Sequence, residues 1–479
     1  MVEGSGRYDG YDRCDRYDGY DMHEALEFLK THERRALEEL VEFVGIPSVS
    51  TDPAHAGDVR RASEWVAARL RRAGPIHVDT WETSRHPAVF GRWDGAPGAP
   101  TVLVYGHCDV QPADPIEAWH SPPFTLTERD GRLYGRGVSD DKASMLIPIL
   151  AAEACFANGR RPPVNLRFLF EAEEEIGSPS MPGLVRAHRD DLACDVALSA
   201  DGGMWRADRP SLNISSRGIV ALEFTVHGPA KDLHSGRHGG GVANPLHAAA
   251  ALVASLHDAD GRIAIDGFYE NVDPIEPAAD AALASLSFDE AAYLKAVGAP
   301  AAFGEPEFGT LARQWHRPTI EVNGLYGGYQ GPGSKTVLPS EAHVKITCRL
   351  VSRQKPSEVA ARVRRHLERH CPAGVTLTIN IDEGHGAEPY RVPADNRYIR
   401  AASETLTEVF GTPADLVGMG GSVPIVTTFR DTLEVDTVFF SFSVADEDIH
   451  APNEFYRPER FRLGPRAWVK LWERIAAGS

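Results

Sequence analysis

The sequence predicts an α/β fold in which a mostly parallel sheet covered by helices is interrupted by a smaller α+β sandwich and then resumes. Three observations carry this. At 479 residues the chain exceeds what one ordinary core supports, so two domains are expected. Strand-like apolar runs alternate with helical ones as far as Asp201, the pattern of a parallel sheet under helices. Beyond Ser215 the order becomes strand, helix, two strands, helix, strand, which is that of a ferredoxin-like sandwich.

Residues 1–21 hold a tandem near-repeat, Arg7-Tyr8-Asp9-Gly10-Tyr11-Asp12 and Arg16-Tyr17-Asp18-Gly19-Tyr20-Asp21, whose turn-forming, aliphatic-poor composition predicts a disordered tail. From His23 onward Leu26, Leu29, Leu37, Leu40, Val41 and Val44 build one apolar helical face, which Gly45 and Pro47 end. A second helix carries Ala62, Trp65, Val66, Arg69 and Leu70 and closes at Gly74. Apolar runs at 102–105, 165–170, 196–198 and 438–442 are the expected strands of the first sheet. The sandwich strands are expected at 222–227, 319–323, 343–350 and 375–381. Its helices start at Asn244-Pro245 and Lys355-Pro356, each with proline in the first turn, and 258–318 reads as an insertion. A helix at 396–410 returns to the first sheet. The expected organisation is therefore a tail (1–21), a first domain in two parts (22–214 and 393–479) and an inserted domain (215–392).

The formal charge of −18 disfavours nucleic acid or an anionic membrane surface as partner, because both would be repelled. Six cysteines without paired spacing read as reduced thiols in a cytoplasmic protein. No apolar run approaches the ~20 residues needed to span a bilayer, and the N-terminus lacks the charged and apolar regions of a secretory signal.

Five segments deliver metal-binding side chains: His107-Cys108-Asp109, Asp140-Asp141, Glu174-Glu175, Asp201 and His450. Four follow expected strands, whose parallel ends converge where ligands bind. Asp140 instead follows a glycine-rich turn, Gly135-Arg136-Gly137-Val138-Ser139, where the backbone can bend sharply. Two imidazoles and three carboxylates suit zinc, with manganese or cobalt as alternatives. The count fits two ions better than one, with a carboxylate bridging ions about 3.5–4 Å apart.

The motifs Gly106-His107-Cys108-Asp109, Gly135-Arg136-Gly137 with Asp140-Asp141-Lys142, Glu174-Glu175-Ile176-Gly177-Ser178 and Asp232-Leu233-His234-Ser235-Gly236 resemble the M20 metallopeptidase family, in its carnosinase-like dipeptidase branch. That resemblance runs from about Met22 to the C-terminus. It implies a dinuclear catalytic domain with an inserted lid and dimerisation domain. One metal would take His107, Asp140 and Asp201, the other Asp140, Glu175 and His450. Aligned on Ile176-Gly177-Ser178, the resemblance makes Glu174 the general base and leaves Glu173 as a carboxylate that is either solvated or supports the ligands from behind. It gives Asp109 the role of orienting His107, which strand alternation also allows. It further implies a cis peptide between Asp140 and Asp141.

The resemblance further implies that His234 stabilises the oxyanion, supplied across a homodimer. Arg349, a planar fork suited to a carboxylate, would bind the substrate C-terminus with Thr336, Gly421 and Ser422. Two departures from the family stand out: Ala143 replaces a usual glycine, and Gly418-Met419 replaces a common Arg-Glu pair beside the substrate pocket. The expected activity is hydrolysis of a dipeptide with a free C-terminal carboxylate. An N-acyl- or N-carbamoyl-amino-acid amidohydrolase of the same fold is the alternative.

Overall fold

The computed structural model describes residues 22–275, 277–286, 288–351 and 353–478, apart from the side chains of 158, 278 and 382–385. The Tyr/Asp repeat expected to form a disordered tail lies outside the described residues. The chain forms two compact units: one holds the residues up to 212 with 394–415 and 428–479, the other 213–393 with 416–427. The late segment 416–427 thus groups with the second unit, where the sequence reading had the first domain run unbroken from 393.

The first unit is built on a six-stranded sheet in the order His77–Trp81, Ala88–Trp93, Asn165–Glu171, Thr101–His107, Val196–Ser199, Thr437–Phe439. The last four pair in parallel, and Ala88–Trp93 alone runs against the rest, antiparallel to both its neighbours, so the sheet is mixed and mostly parallel, as the alternation predicted. Strands of such a sheet are covered on both faces and read as continuous apolar runs. Thr101–His107 does so, buried at every position after Thr101. The helix Ala143–Phe156 is apolar nearly all round and buried accordingly. The helix Pro458–Ala477 buries Trp468 and Trp472, whose rings meet edge to face at 5.8 Å.

Register explains why the chemistry collects at one end of the parallel strands. His107 is the last residue of its strand and lies opposite Glu171, the last of its neighbour, while Tyr105 lies opposite Ser199. The segments that follow these strands therefore leave together.

Three elements differ from expectation. The N-terminal helix is two, Met22–Thr31 and Glu33–Val44, parted at His32. There the Thr31 hydroxyl donates to the Phe28 carbonyl (2.9 Å) and His32 stacks on Phe28, side-chain contacts that compete with the helical ladder. The strand expected over 438–442 is only Thr437–Phe439. A hairpin, Thr127–Arg129 with Arg132–Tyr134, was not foreseen; it pairs with Phe455–Tyr456.

The second unit holds a four-stranded antiparallel sheet in the order Thr319–Gly327, Glu341–Leu350, Gly218–His227, Thr376–Ala387. With its two helices, Pro245–Ala254 and Pro356–His370, this is the ferredoxin-like order the sequence predicted. Asn244 caps the first helix, its side-chain oxygen accepting from the Leu246 N–H at 2.9 Å. The insertion carries three short helices, Pro277–Ser285, Glu290–Ala296 and Thr310–Trp315. Among the described residues no helix is long and apolar enough to cross a membrane.

Candidate metal centre

In the first unit the five predicted ligands come together as two groups sharing one carboxylate. His107, Asp140 and Asp201 form one group and Asp140, Glu175 and His450 the other, with the ligand atoms of each group within 4.8 Å of one another. Asp140 stands between two imidazoles: its Oδ1 is 3.0 Å from His107 Nε2 and its Oδ2 3.0 Å from His450 Nε2. Glu175 Oε2 is 3.2 Å from the same His450 nitrogen.

Local sequence explains each placement. Gly106 is required because a Cβ there would sit 2.8 Å from Asp141 Oδ2. Gly137 has φ +79°, and a Cβ there would meet Val110 Cγ1 at 2.2 Å, so the turn into Asp140 tolerates no side chain. The Asp140-Asp141 peptide is cis. Gly177, at φ +82°, ends the single 3-10 turn Glu174–Ile176 that presents both glutamates.

Asp109 is fully buried and sets the position of that turn. Its Oδ1 accepts from the Glu174 N–H (3.2 Å) and its Oδ2 from the Glu175 N–H (3.1 Å) and the Ser50 hydroxyl (2.6 Å). His107 Nδ1 lies 3.1 Å from the Asp109 backbone oxygen and 3.5 Å from its Oδ1, so backbone and carboxylate of the same residue both face the ring. Glu173 is not solvated: it is buried, accepting from the Thr83 hydroxyl (2.6 Å), the His86 N–H (2.9 Å) and the Ser180 N–H (3.2 Å). Those donors use up its carboxylate and leave Glu174 and Glu175 to the site.

Electrostatics point to cations. Burial, reinforced by the Asp201, Glu175 and Asp140 charges, pushes the Glu174 carboxyl well above the usual range. Burial likewise raises Asp201, to about 6, and Glu175. For Asp140 burial acts in the same direction, but the hydrogen bonds from His107 and His450 outweigh it and hold the carboxyl low. Its bonds to Asp140 and Glu175 raise His450 to about 10. A partly buried set of mutually repelling carboxylates with one buried and one exposed imidazole, all oxygen and nitrogen donors, fits divalent zinc, manganese or cobalt.

Two residues missed by the sequence reading belong here. Gln111 Nε2 donates to Glu175 Oε2 at 2.9 Å. Glu171, raised to about 8 by burial, accepts from the Tyr105 hydroxyl (2.7 Å) and the Ser178 hydroxyl (2.9 Å) directly behind the site. A glutamate ending an apolar strand was the available signal for the second.

The remaining predicted residues lie in the second unit. His234 is exposed on a two-residue strand opposite Val337, its Nδ1 accepting from the Gly236 N–H (3.1 Å), and Thr336 adjoins it through the Ser235 N–H to Thr336 carbonyl bond (3.0 Å). Arg349 Nη1 donates to the Ser422 hydroxyl (3.2 Å), which donates to the Arg217 carbonyl (2.5 Å), while the Arg217 N–H points at the Gly421 carbonyl (3.1 Å). Arg217, unforeseen, is thus the hub of the Gly420–Ser422 turn, its Nε donating to the Gly420 carbonyl at 3.0 Å. Burial lowers Arg217 and Arg349 alike, and the charge of Arg349 lowers Arg217 further. Among the described residues neither guanidinium forms an ion pair. The Gly418 departure also has a cause: a Cβ there would lie 2.6 Å from Trp315 Cβ.

Comparison with known proteins agrees with this architecture. The chain is 29% identical over 454 residues to the Cys-Gly metallodipeptidase of Schizosaccharomyces pombe, covering 91% of this chain and 94% of that protein. It is 28% identical over 444 residues to the Beta-Ala-His dipeptidase of Rattus norvegicus, covering 89% and 90%. The crystal structure of human carnosine dipeptidase 1 superposes with a TM-score of 0.82 at 27% identity, over 95% of this chain and 99% of that one. Residues 103–474 match the model of Peptidase family M20/M25/M40, and the chain belongs to that family.

Proposed function

We propose that this protein is a dinuclear metallodipeptidase that hydrolyses the amide bond of dipeptides carrying a free C-terminal carboxylate. The observation that carries the reading is the pair of ligand groups sharing Asp140, with the Glu174 carboxyl beside them. Names of relatives support the substrate class: those compared are dipeptidases.

Two divalent ions, zinc foremost, would be held by His107, Asp140 and Asp201 and by Asp140, Glu175 and His450, and would lower the pKa of a shared water and polarise the scissile carbonyl. Glu174 would take a proton from the attacking water and pass it to the departing amine, the role of a general base whose carboxyl burial raises above its usual range. Asp109 holds the Glu174–Ile176 turn and the His107 ring, so that base and ligands keep one geometry. Arg349, with Ser422, Gly421 and Thr336, receives the substrate carboxylate. His234 donates to the developing oxyanion.

The molecule acts as a homodimer through the second unit. Its edge strand Thr319–Gly327 presents Val322, Leu325 and Tyr326 to solvent, with Tyr329 just beyond, and an exposed apolar edge invites pairing. Its place is the cytoplasm, in keeping with free thiols at Cys108, Cys155, Cys194, Cys348 and Cys371.

The test is mass spectrometry of metal-loaded protein incubated with pooled dipeptides and the matching N-acetyl and N-carbamoyl amino acids. Loss of dipeptides alone supports the reading. Loss of only the acylated or carbamoylated compounds moves the assignment to an amidohydrolase.

A further inference from the structure

We propose that Glu447 and Glu454, at the two ends of the loop carrying His450, are positioning residues that lock this loop onto the Asp140 turn and preform the group Asp140, Glu175 and His450. The inference rests on the two-metal reading above, but concerns residues that bind neither ion.

Glu454 is fully buried and spends its whole carboxylate on the turn. Its Oε2 accepts from Arg136 Nη1 (2.6 Å) and the Gly137 N–H (2.9 Å), its Oε1 from the N–H groups of Ser139 (2.8 Å) and Asp140 (3.2 Å). Near-consecutive backbone N–H groups converging on one anion form a nest, here filled from within the protein. Glu447 grips the same turn from the other end: its Oε2 accepts from the Ser139 hydroxyl (2.6 Å) and the Val444 N–H (3.0 Å), and Arg457 holds its Oε1 at 2.9 Å. Backbone bonds close the arrangement, Phe455 N–H to the Glu447 carbonyl (3.1 Å) and Gly135 N–H to the Glu454 carbonyl (3.0 Å).

Two features show why His450 needs this. Between the carboxylates Asp448, His450 and Asn453 all have positive φ (52°, 63° and 66°), a region that residues with side chains avoid unless their surroundings over-determine it. A ligand histidine is ordinarily oriented by a partner on its second ring nitrogen. His107 has one in the Asp109 carbonyl; the hydrogen bonds of His450 among the described residues are those of Nε2 toward Asp140 and Glu175. Its aim must therefore come from the loop backbone, and the backbone is fixed at its two glutamates.

The experiment titrates metal-stripped full-length protein with zinc by calorimetry, with bound zinc counted after dialysis. Glu454→Gln keeps the shape but turns an amide N–H₂ toward backbone donors; Ser139→Ala removes only the Glu447 contact. Outer partners of metal ligands typically contribute 10–100-fold in affinity. Glu454→Gln is expected to weaken the more weakly held zinc by about that factor, and Ser139→Ala by less, with unchanged circular dichroism. Wild-type zinc affinity in both variants overturns the inference. Should Glu454→Gln fail to fold, Ser139→Ala decides alone, unchanged affinity again overturning it. Should the wild type take one zinc, the two-metal reading fails, and the clamp is judged on that ion: weakened supports it, unchanged overturns it.

Discussion

Replacing Arg349 by Gln should remove recognition of the substrate carboxylate while leaving the fold intact. Arg349 lies partly buried on the strand Glu341–Leu350, its Nη1 on the Ser422 hydroxyl, and burial disfavours its charge. Its pKa is lower in the folded protein than outside it, so the charge costs stability, and deleting it should hold or raise the melting temperature. On the proposed reading, bound substrate gives the same guanidinium an anion in a partly desolvated site. Hydrogen bonds to charged groups contribute about 1.5–3 kcal/mol, which at 1.4 kcal/mol per tenfold is roughly a 10- to 150-fold loss in kcat/KM. The assay is a cycle of two enzymes and two substrates, a dipeptide and its C-terminal amide. Wild type should lose roughly that factor on going to the amide, and Arg349→Gln should cleave the two substrates about equally. An equal loss on the amide and on the free acid would refute the reasoning, since Arg349 would then act on something other than the carboxylate.

Glu174→Gln is expected to lower kcat by about 10²–10⁴ with zinc content unchanged by elemental analysis; a variant that loses its metal would instead make Glu174 a ligand. Glu171 is raised in the folded state to about 8 from an ordinary 4.5, so the folded protein holds its proton longer and stability falls as pH rises through that window, by up to ~1.4 kcal/mol per unit. Urea midpoints of Glu171→Gln should lack this decline, and parallel curves for the two proteins would count against it. Leu325→Glu, at a side chain 47% exposed on the edge strand, should yield monomers by light scattering without lowering the melting temperature; an unchanged dimer would move the interface elsewhere.

Much of the candidate site was legible because its residues follow strands. An apolar run such as 102–105 marks a buried strand, and a polar residue just beyond it has a known address. His107 and Asp201 were found in this way, and His450 after a longer loop. Glycine marked the Asp140 turn, since at Gly137 φ is +79° and Val110 leaves no room for a Cβ. Whether Glu173 is solvated or supports the ligands from behind stayed open in the sequence because its partners, Thr83 and His86, are about 90 residues away, a distance local pattern cannot span. Arg217 gave no signal, its role depending on a turn some 200 residues later.

The sequence by itself determined the alternation of strands and helices, the sandwich order after Ser215 and the kinds of donor available, because periodicity and side-chain chemistry are local properties. Only the tertiary structure decided which carboxylates are buried, that Trp315 excludes a side chain at Gly418, and that Glu454 reaches back 318 residues to hold Arg136. A buried charge is defined by its partners, and partners are chosen when the chain closes on itself.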